Sequence, residues 1–250
     1  MSIAEALALL ATGIAAGIAS TVASVASFVS YPVLLAIGLP PLSANVTNTM
    51  SLICTSAGSV VGARPELAGQ RGRALRLAVF TALGGAAGAG ALLLAPASAF
   101  AVVVPVLIAS ASVLLLIQPM LSGLSPRPGA EWTAGRLAGV FAGAMYIGYF
   151  GAAGGMILLA ILATMFSDSL IRLNALKNVI SGAANGVAAV AFAVFAPVDW
   201  AIVPLLAVGF LAGGMTGPRI ARRLPARVLR VLVSLCGLAL AVKLGVSAYS

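Results

Sequence analysis

The stretch IAEALALLATGIAAGIASTVASVASFVSYPVLLAI, residues 3–37, decides how the rest of the chain is read. A helix crosses a bilayer in about 20 residues. This run is too long for one straight crossing and too short for two. Ser20, Thr21, Ser24, Ser27 and Ser30 lie along its centre, where hydrocarbon would penalise polar side chains. A broken helix, entering and leaving by the same face, reconciles length with polarity. The run 133–163 repeats the problem, with Gly148, Gly151, Gly154 and Gly155 at its centre. Between and beyond them, the apolar runs 43–63, 75–95, 99–118, 173–196, 200–218 and 227–247 are each near one crossing in length. The expected fold is an all-α polytopic membrane protein with an inverted-topology repeat: about six full crossings plus two broken-helix hairpins, in eight to ten helical segments.

Composition agrees. Of 250 residues, 62% are hydrophobic and 8% charged, against about 25% charged in a soluble domain. That excludes a cytosolic enzyme and a disordered chain, and the net charge of +9 does not make a nucleic-acid binder of it. With no histidine, the usual zinc ligand and general base are missing. The five acids, Glu5, Glu66, Glu131, Asp168 and Asp199, sit at or near the ends of apolar runs. No mid-membrane carboxylate pair or proton relay is available from them. No phosphate-binding loop occurs. Cys54 and Cys236 lie inside apolar runs and read as small packing residues. The expectation is a non-enzyme without metal or cofactor. Its partners are the lipid bilayer and a small anionic substrate, not nucleic acid; a homodimer is allowed. The excess of Arg over Lys and the wealth of Ala suit a multi-pass protein of a bacterial plasma (inner) membrane.

The two halves repeat. Gly13-Ile-Ala-Ala-Gly17 resembles Gly139-Val-Phe-Ala-Gly143. Asn45-Val-Thr-Asn-Thr49 aligns with Asn174-Ala-Leu-Lys-Asn178, 129 residues later, and Gly84-Gly-Ala-Ala-Gly88 aligns with Gly213-Gly-Met-Thr-Gly217 at the same offset. The expected organisation is a first transmembrane repeat at 1–121, a linker at 122–132 and a second repeat at 133–250. Cation-rich loops change places between repeats: Arg64, Arg71, Arg73 and Arg76 in the first, Arg219, Arg222, Arg223, Arg227 and Arg230 in the second. Equivalent loops then face opposite sides under the positive-inside rule, which defines an inverted repeat. With two hairpins of no net crossing, all fourteen cations but Lys243 fall on or near one side, and both termini lie outside.

Two groups of residues are candidates for holding an anion. Asn174, Lys177, Asn178, Ser181 and Asn185 share one helical face, while Asn45, Asn48, Thr49, Ser56 and Ser59 form a looser stripe. Asn and Thr donate without charge, and Lys177 adds one cation. The alternative is that these groups tie helices together, or that Lys177 is a cytoplasmic-end cation. The second group is the hairpin tips, where half-helix N-termini favour anions. Ser20, Thr21, Ser24 and Ser27 would line one tip. Gly151, Gly154 and Gly155 would admit close backbone approach in the other, with Tyr146 and Tyr149 gating. Close helix packing by small residues is the alternative there.

The stretch Tyr31-Pro-Val-Leu-Leu-Ala-Ile-Gly-Leu-Pro-Pro-Leu-Ser-Ala-Asn-Val-Thr-Asn-Thr49 resembles the first-repeat signature of the TauE/SafE sulfite exporter family. Asn174-Ala-Leu-Lys-Asn178, Asn185 and Val198-Asp-Trp200 resemble its second repeat. The resemblance spans essentially the whole chain. It implies a carrier for sulfite, thiosulfate or an organosulfonate. An anion channel and a non-transporting membrane scaffold stand as alternatives: a channel needs one continuous polar path, and a scaffold a soluble segment for its partner.

Overall fold

The computed structural model describes residues 3–121, 131–151, 154–221 and 226–249. Every regular element among them is a helix: α1 (Ile3–Ala23), α2 (Ala26–Ala36), α3 (Pro41–Gly62), α4 (Arg64–Leu67), α5 (Arg71–Leu94), α6 (Ala97–Leu121), α7 (Ala134–Tyr149), α8 (Gly154–Met165), α9 (Leu170–Phe195), α10 (Val203–Ala221) and α11 (Ala226–Tyr249). That is one more than expected. The extra element, α4, is a single turn started by Arg64-Pro65, too short to leave a periodic signal. Four described helices are long and apolar enough to cross a membrane: Ile3–Val22, Arg71–Leu94, Leu170–Phe195 and Val203–Ile220. The large apolar side chains they leave exposed, such as Leu75, Val79, Leu83, Val190 and Val194, suit lipid rather than water. The expected linker at 122–132 lies outside the described residues except for Glu131 and Trp132. Arg127, Arg222 and Arg223 lie outside them too.

Both long apolar runs are broken. The first break is at Ser24, a non-glycine residue with φ of 61°. Its N–H bonds to Ser20 O at 2.9 Å, and the N–H of Val25 reaches back to Ala19 O at 3.4 Å. The second is at Gly151, φ 72°, whose N–H bonds to Tyr146 O at 3.4 Å. A left-handed residue after the last turn closes a helix by satisfying its orphan carbonyls; glycine does this without steric cost and serine does not. The arms are unequal. α1, at 21 residues, is about 31 Å long at 1.5 Å per residue, so one arm of the first hairpin is itself of crossing length.

Helix partners come in matched pairs across the two halves. α1 packs on α10 as α7 packs on α5. α10 packs on α3 as α5 packs on α9. α3 meets α9 and α6 meets α11. Glycines set the distances. A Cβ on Gly85 would stand 2.5 Å from Ala184 O, and one on Gly214 would stand 2.5 Å from Thr55 O. Each member of the first pair lies 129 residues from its counterpart in the second, in opposite directions along the chain. Gly13 and Gly17 meet Gly209 and Gly213 in the same close manner. Small residues let membrane helices gain dispersion contact in a solvent that offers no hydrophobic drive between them.

The contacts also fix which ends share a face. Gly62 lies against Met215 and Pro218, so Arg64 and Arg219 stand at one end of the molecule. Arg76 sits over the Trp132 ring, bringing the start of α7 to that end. Arg172 donates to Ala68 O, bringing the start of α9 there. At the opposite end the N–H of Asp199 donates to Thr47 Oγ1. The two hairpins therefore enter from opposite ends.

Candidate functional site

Where the two breaks pass each other, beside the central parts of α3 and α9, lies a cavity lined by Ser20, Ser24, Ala26, Leu52, Thr55, Ser56, Ile147, Gly151, Gly155, Lys177, Asn178, Ser181 and Asn185. Its space for water centres is about 40 Å³. A single water needs about 10–15 Å³ by that measure, so the space suits an ion of a few heavy atoms. The tips do not meet point to point. They overlap sideways, and a Cβ on Gly155 would lie 3.2 Å from Ser24 Cβ and 3.3 Å from Lys177 Cδ.

Lys177 is 2% exposed. Its Nζ donates to Ser24 Oγ at 2.6 Å and to Ser20 O at 3.4 Å. Among the described residues no carboxylate lines the cavity. A buried ammonium normally has an anionic partner, because a lone buried charge is costly. Here its contacts are a hydroxyl and a carbonyl at the C-terminal end of α1, where the dipole welcomes a cation. Other polar atoms of this region have no partner: Thr55 Oγ1, Ser181 Oγ and Asn185 Oδ1 are all buried. Buried polar groups are satisfied in the great majority of cases. Three unsatisfied ones line the same cavity as Lys177, leaving polar atoms available to a polar ligand.

A family model described as Sulfite exporter TauE/SafE matches residues 9–244. The chain belongs to the TauE/SafE family. Searches of curated proteins and of solved structures found no match. Membership makes the chain a membrane transporter of sulfur-containing anions, a class in keeping with a non-enzyme and with a multi-pass membrane protein.

In this TauE/SafE chain the residues singled out from sequence divide into two sets. Ser20, Ser24, Lys177, Asn178 and Asn185 line the cavity together with Ser56, Ser181, Gly151 and Gly155. Asn45, Asn48, Thr49, Asn174, Ser27, Tyr149 and Gly154 do not. Asn174 Nδ2 donates to Thr21 O at 2.6 Å, and Asn45 Nδ2 donates to Tyr149 O at 3.0 Å. These are equivalent bonds, each from the start of a long helix to the end of the other half's first arm. Asn48 is held from both sides, accepting from Ser30 Oγ at 2.6 Å and donating to Ser27 Oγ at 2.9 Å. Thr49 donates to Asn45 O. Gly154 lies against Ile147 and Tyr146, and Tyr146 donates to Leu107 O. Sequence reasoning missed Thr55. The spacing of Ser51, Thr55 and Ser59, four apart on one face, was the available signal; Ser51 turns instead to Thr47 O.

Proposed function

We propose that the chain is a secondary carrier for a small sulfur oxyanion or sulfonate, bound in the cavity between the hairpin breaks. The observation that carries this reading is Lys177, buried in a polar cavity that holds no carboxylate. The remaining donors, Ser24, Thr55, Asn178, Ser181 and Asn185, are neutral. Such a set binds an anion without holding it too tightly to release. The first turns of α2 and α8 lie beside it, through Ala26 and Gly155, and helix N-termini offer backbone N–H groups to an anion. The matched helix pairs favour two inverted repeats, about 1–121 and 133–250, rocking around this shared site in a bacterial plasma membrane. That arrangement favours a carrier over a channel.

The test is a thermal-shift screen of purified protein against sulfite, thiosulfate, sulfate, sulfoacetate and taurine, followed by flux into proteoliposomes. A stabilising ligand raises the unfolding temperature by mass action. Lys177→Met should weaken its binding by about 1–3 kcal/mol, the scale of a hydrogen bond to a charged group. Lys177→Arg should recover little, since a planar fork replaces a compact charge. Undiminished affinity in folded Lys177→Met would leave the lysine as a cap for α1 and remove the basis of the reading.

A further inference from the structure

We propose that the cavity selects singly charged anions over doubly charged ones, so that the cargo is hydrogen sulfite or a sulfonate rather than sulfate, thiosulfate or the sulfite dianion. This rests on the carrier reading above and adds the charge state of the substrate.

The inference follows from the charges that border the site. Among the described residues, Lys177 is the only ionic group in its lining. The five acids Glu5, Glu66, Glu131, Asp168 and Asp199 lie elsewhere, and among the described residues no arginine lines it. A helix N-terminus adds positive potential, about half a charge each. Here the ends cancel. α1 and α7 finish at the breaks where α2 and α8 begin, so two positive ends and two negative ends meet around the cavity. The hydroxyls and amides stabilise an anion without changing the sum. A monoanion with Lys177 leaves the buried site neutral. A dianion leaves one uncompensated negative charge away from water, the costly case. Size does not decide, since sulfite and sulfate differ by one oxygen; charge does. The consequence for coupling is direct. If dissolved sulfite crosses as hydrogen sulfite, one proton crosses with each sulfur, carried on the cargo, with no protein carboxylate relay.

The experiment compares methanesulfonate, a monoanion at every working pH, with sulfate and thiosulfate, at matched ionic strength and by calorimetry on the intact purified chain. Methanesulfonate should bind at least tenfold more tightly than either dianion. Equal or tighter binding of sulfate or thiosulfate overturns the charge selection and leaves the carrier reading standing. Failure of sulfite and all three others to bind overturns both. A second measurement uses sulfite itself. The ratio of its Kd to that of methanesulfonate should rise tenfold per pH unit above sulfite's second ionisation, because taking the ratio removes any titration of the protein. A flat ratio overturns the proposal.

A separate observation concerns the two ends of the molecule. At the cation-rich end, Asp168 is paired with Arg73 of α5 and with Arg172 of α9. Arg73 also lies 4.4 Å over the Phe166 ring, and Gln70 donates to Arg172 O at 3.1 Å. Shifted by 129 residues, Asp168, Arg172 and Arg73 become Leu39, Ser43 and Ile202. That region carries no equivalent pairing; instead an open groove of about 410 Å³ runs between Leu39–Ser43 and Pro197–Trp200. We infer that the Asp168 pairing is a latch holding the cation-rich end closed, and that it must break for the site to face that side. Ser181→Cys, in a chain with Cys54→Ala and Cys236→Ala, reports access to the cavity. Asp168→Asn should raise its labelling from the cation-rich side severalfold, as should Arg73→Gln. Exchanging the charges, Asp168→Arg with Arg73→Asp, should return it toward the original rate. Unchanged labelling in both single variants overturns the latch.

Discussion

Lys177 and Gly155 show how little space separates a bound ion from a closed core. The glycine is kept not by its backbone angle but by what a methyl group would touch, Ser24 on one side and the stem of Lys177 on the other. Both neighbours are side-chain atoms and can yield a few tenths of an ångström. Gly155→Ala should therefore cost little stability, about 1 kcal/mol at the low end of overpacking, while filling space the ligand needs. The expected result is a sulfite or sulfonate affinity reduced tenfold or more with a nearly unchanged unfolding temperature. Equal loss of both would make Gly155 a packing residue. Asn174 should behave in the opposite way. Its amide satisfies Thr21 O at the end of α1, and Asn174→Ala leaves that buried carbonyl short of a partner, at about 1–3 kcal/mol. Unfolding temperature should fall and ligand affinity in the folded fraction should hold. The polar stripe was visible in the sequence as a row of side chains at helical spacing. Which members face a cavity and which bond a carbonyl depends on where another helix ends, and no spacing within one helix encodes that.

Helices here approach through glycine, and the demand differs sharply from one glycine to the next. Gly214 on α10 faces the backbone of Thr55, 2.5 Å from where a Cβ would stand. Gly90 on α5 has nothing within 4 Å. Gly214→Leu should force α10 off α3 and lower stability by about 3 kcal/mol or abolish folding, beyond the usual overpacking range. Gly90→Ala should be neutral or stabilise by up to about 1 kcal/mol, through helix propensity alone. Thermal unfolding in detergent reads both, and equal effects would deny that close approach sets the register. The glycine clusters were apparent in the sequence, and the match between Gly84–Gly88 and Gly213–Gly217 gave their correspondence. Their partners were not apparent. Each cluster packs on helices of the other half, an exchange that only tertiary contact reveals.

At the scale of the molecule, described arginines from separate loops gather at one end. Arg64, Arg76, Arg172 and Arg219 are brought to the same end by separate contacts, and the positive-inside rule predicts a cytoplasmic position for that end. In intact cells, cysteine at position 71 or 219 should resist a membrane-impermeant thiol reagent, whereas cysteine at position 243 should react. Labelling at 71 but not at 219 would break the model in which both loops share a side. By itself, the sequence determined the membrane solvent, because so few charges cannot clothe a soluble surface. It determined the broken helices as well: residues 3–37 and 133–163 fit neither one crossing nor two. The family followed from its motifs. The tertiary structure decided what spacing along single helices cannot hold: that the breaks overlap beside α3 and α9, that Asn45 and Asn174 are drawn off to helix-end carbonyls, and that Lys177 faces a polar cavity with no acid in it. Charge and hydropathy act through composition along one chain segment, whereas a binding site is a coincidence of segments far apart in sequence.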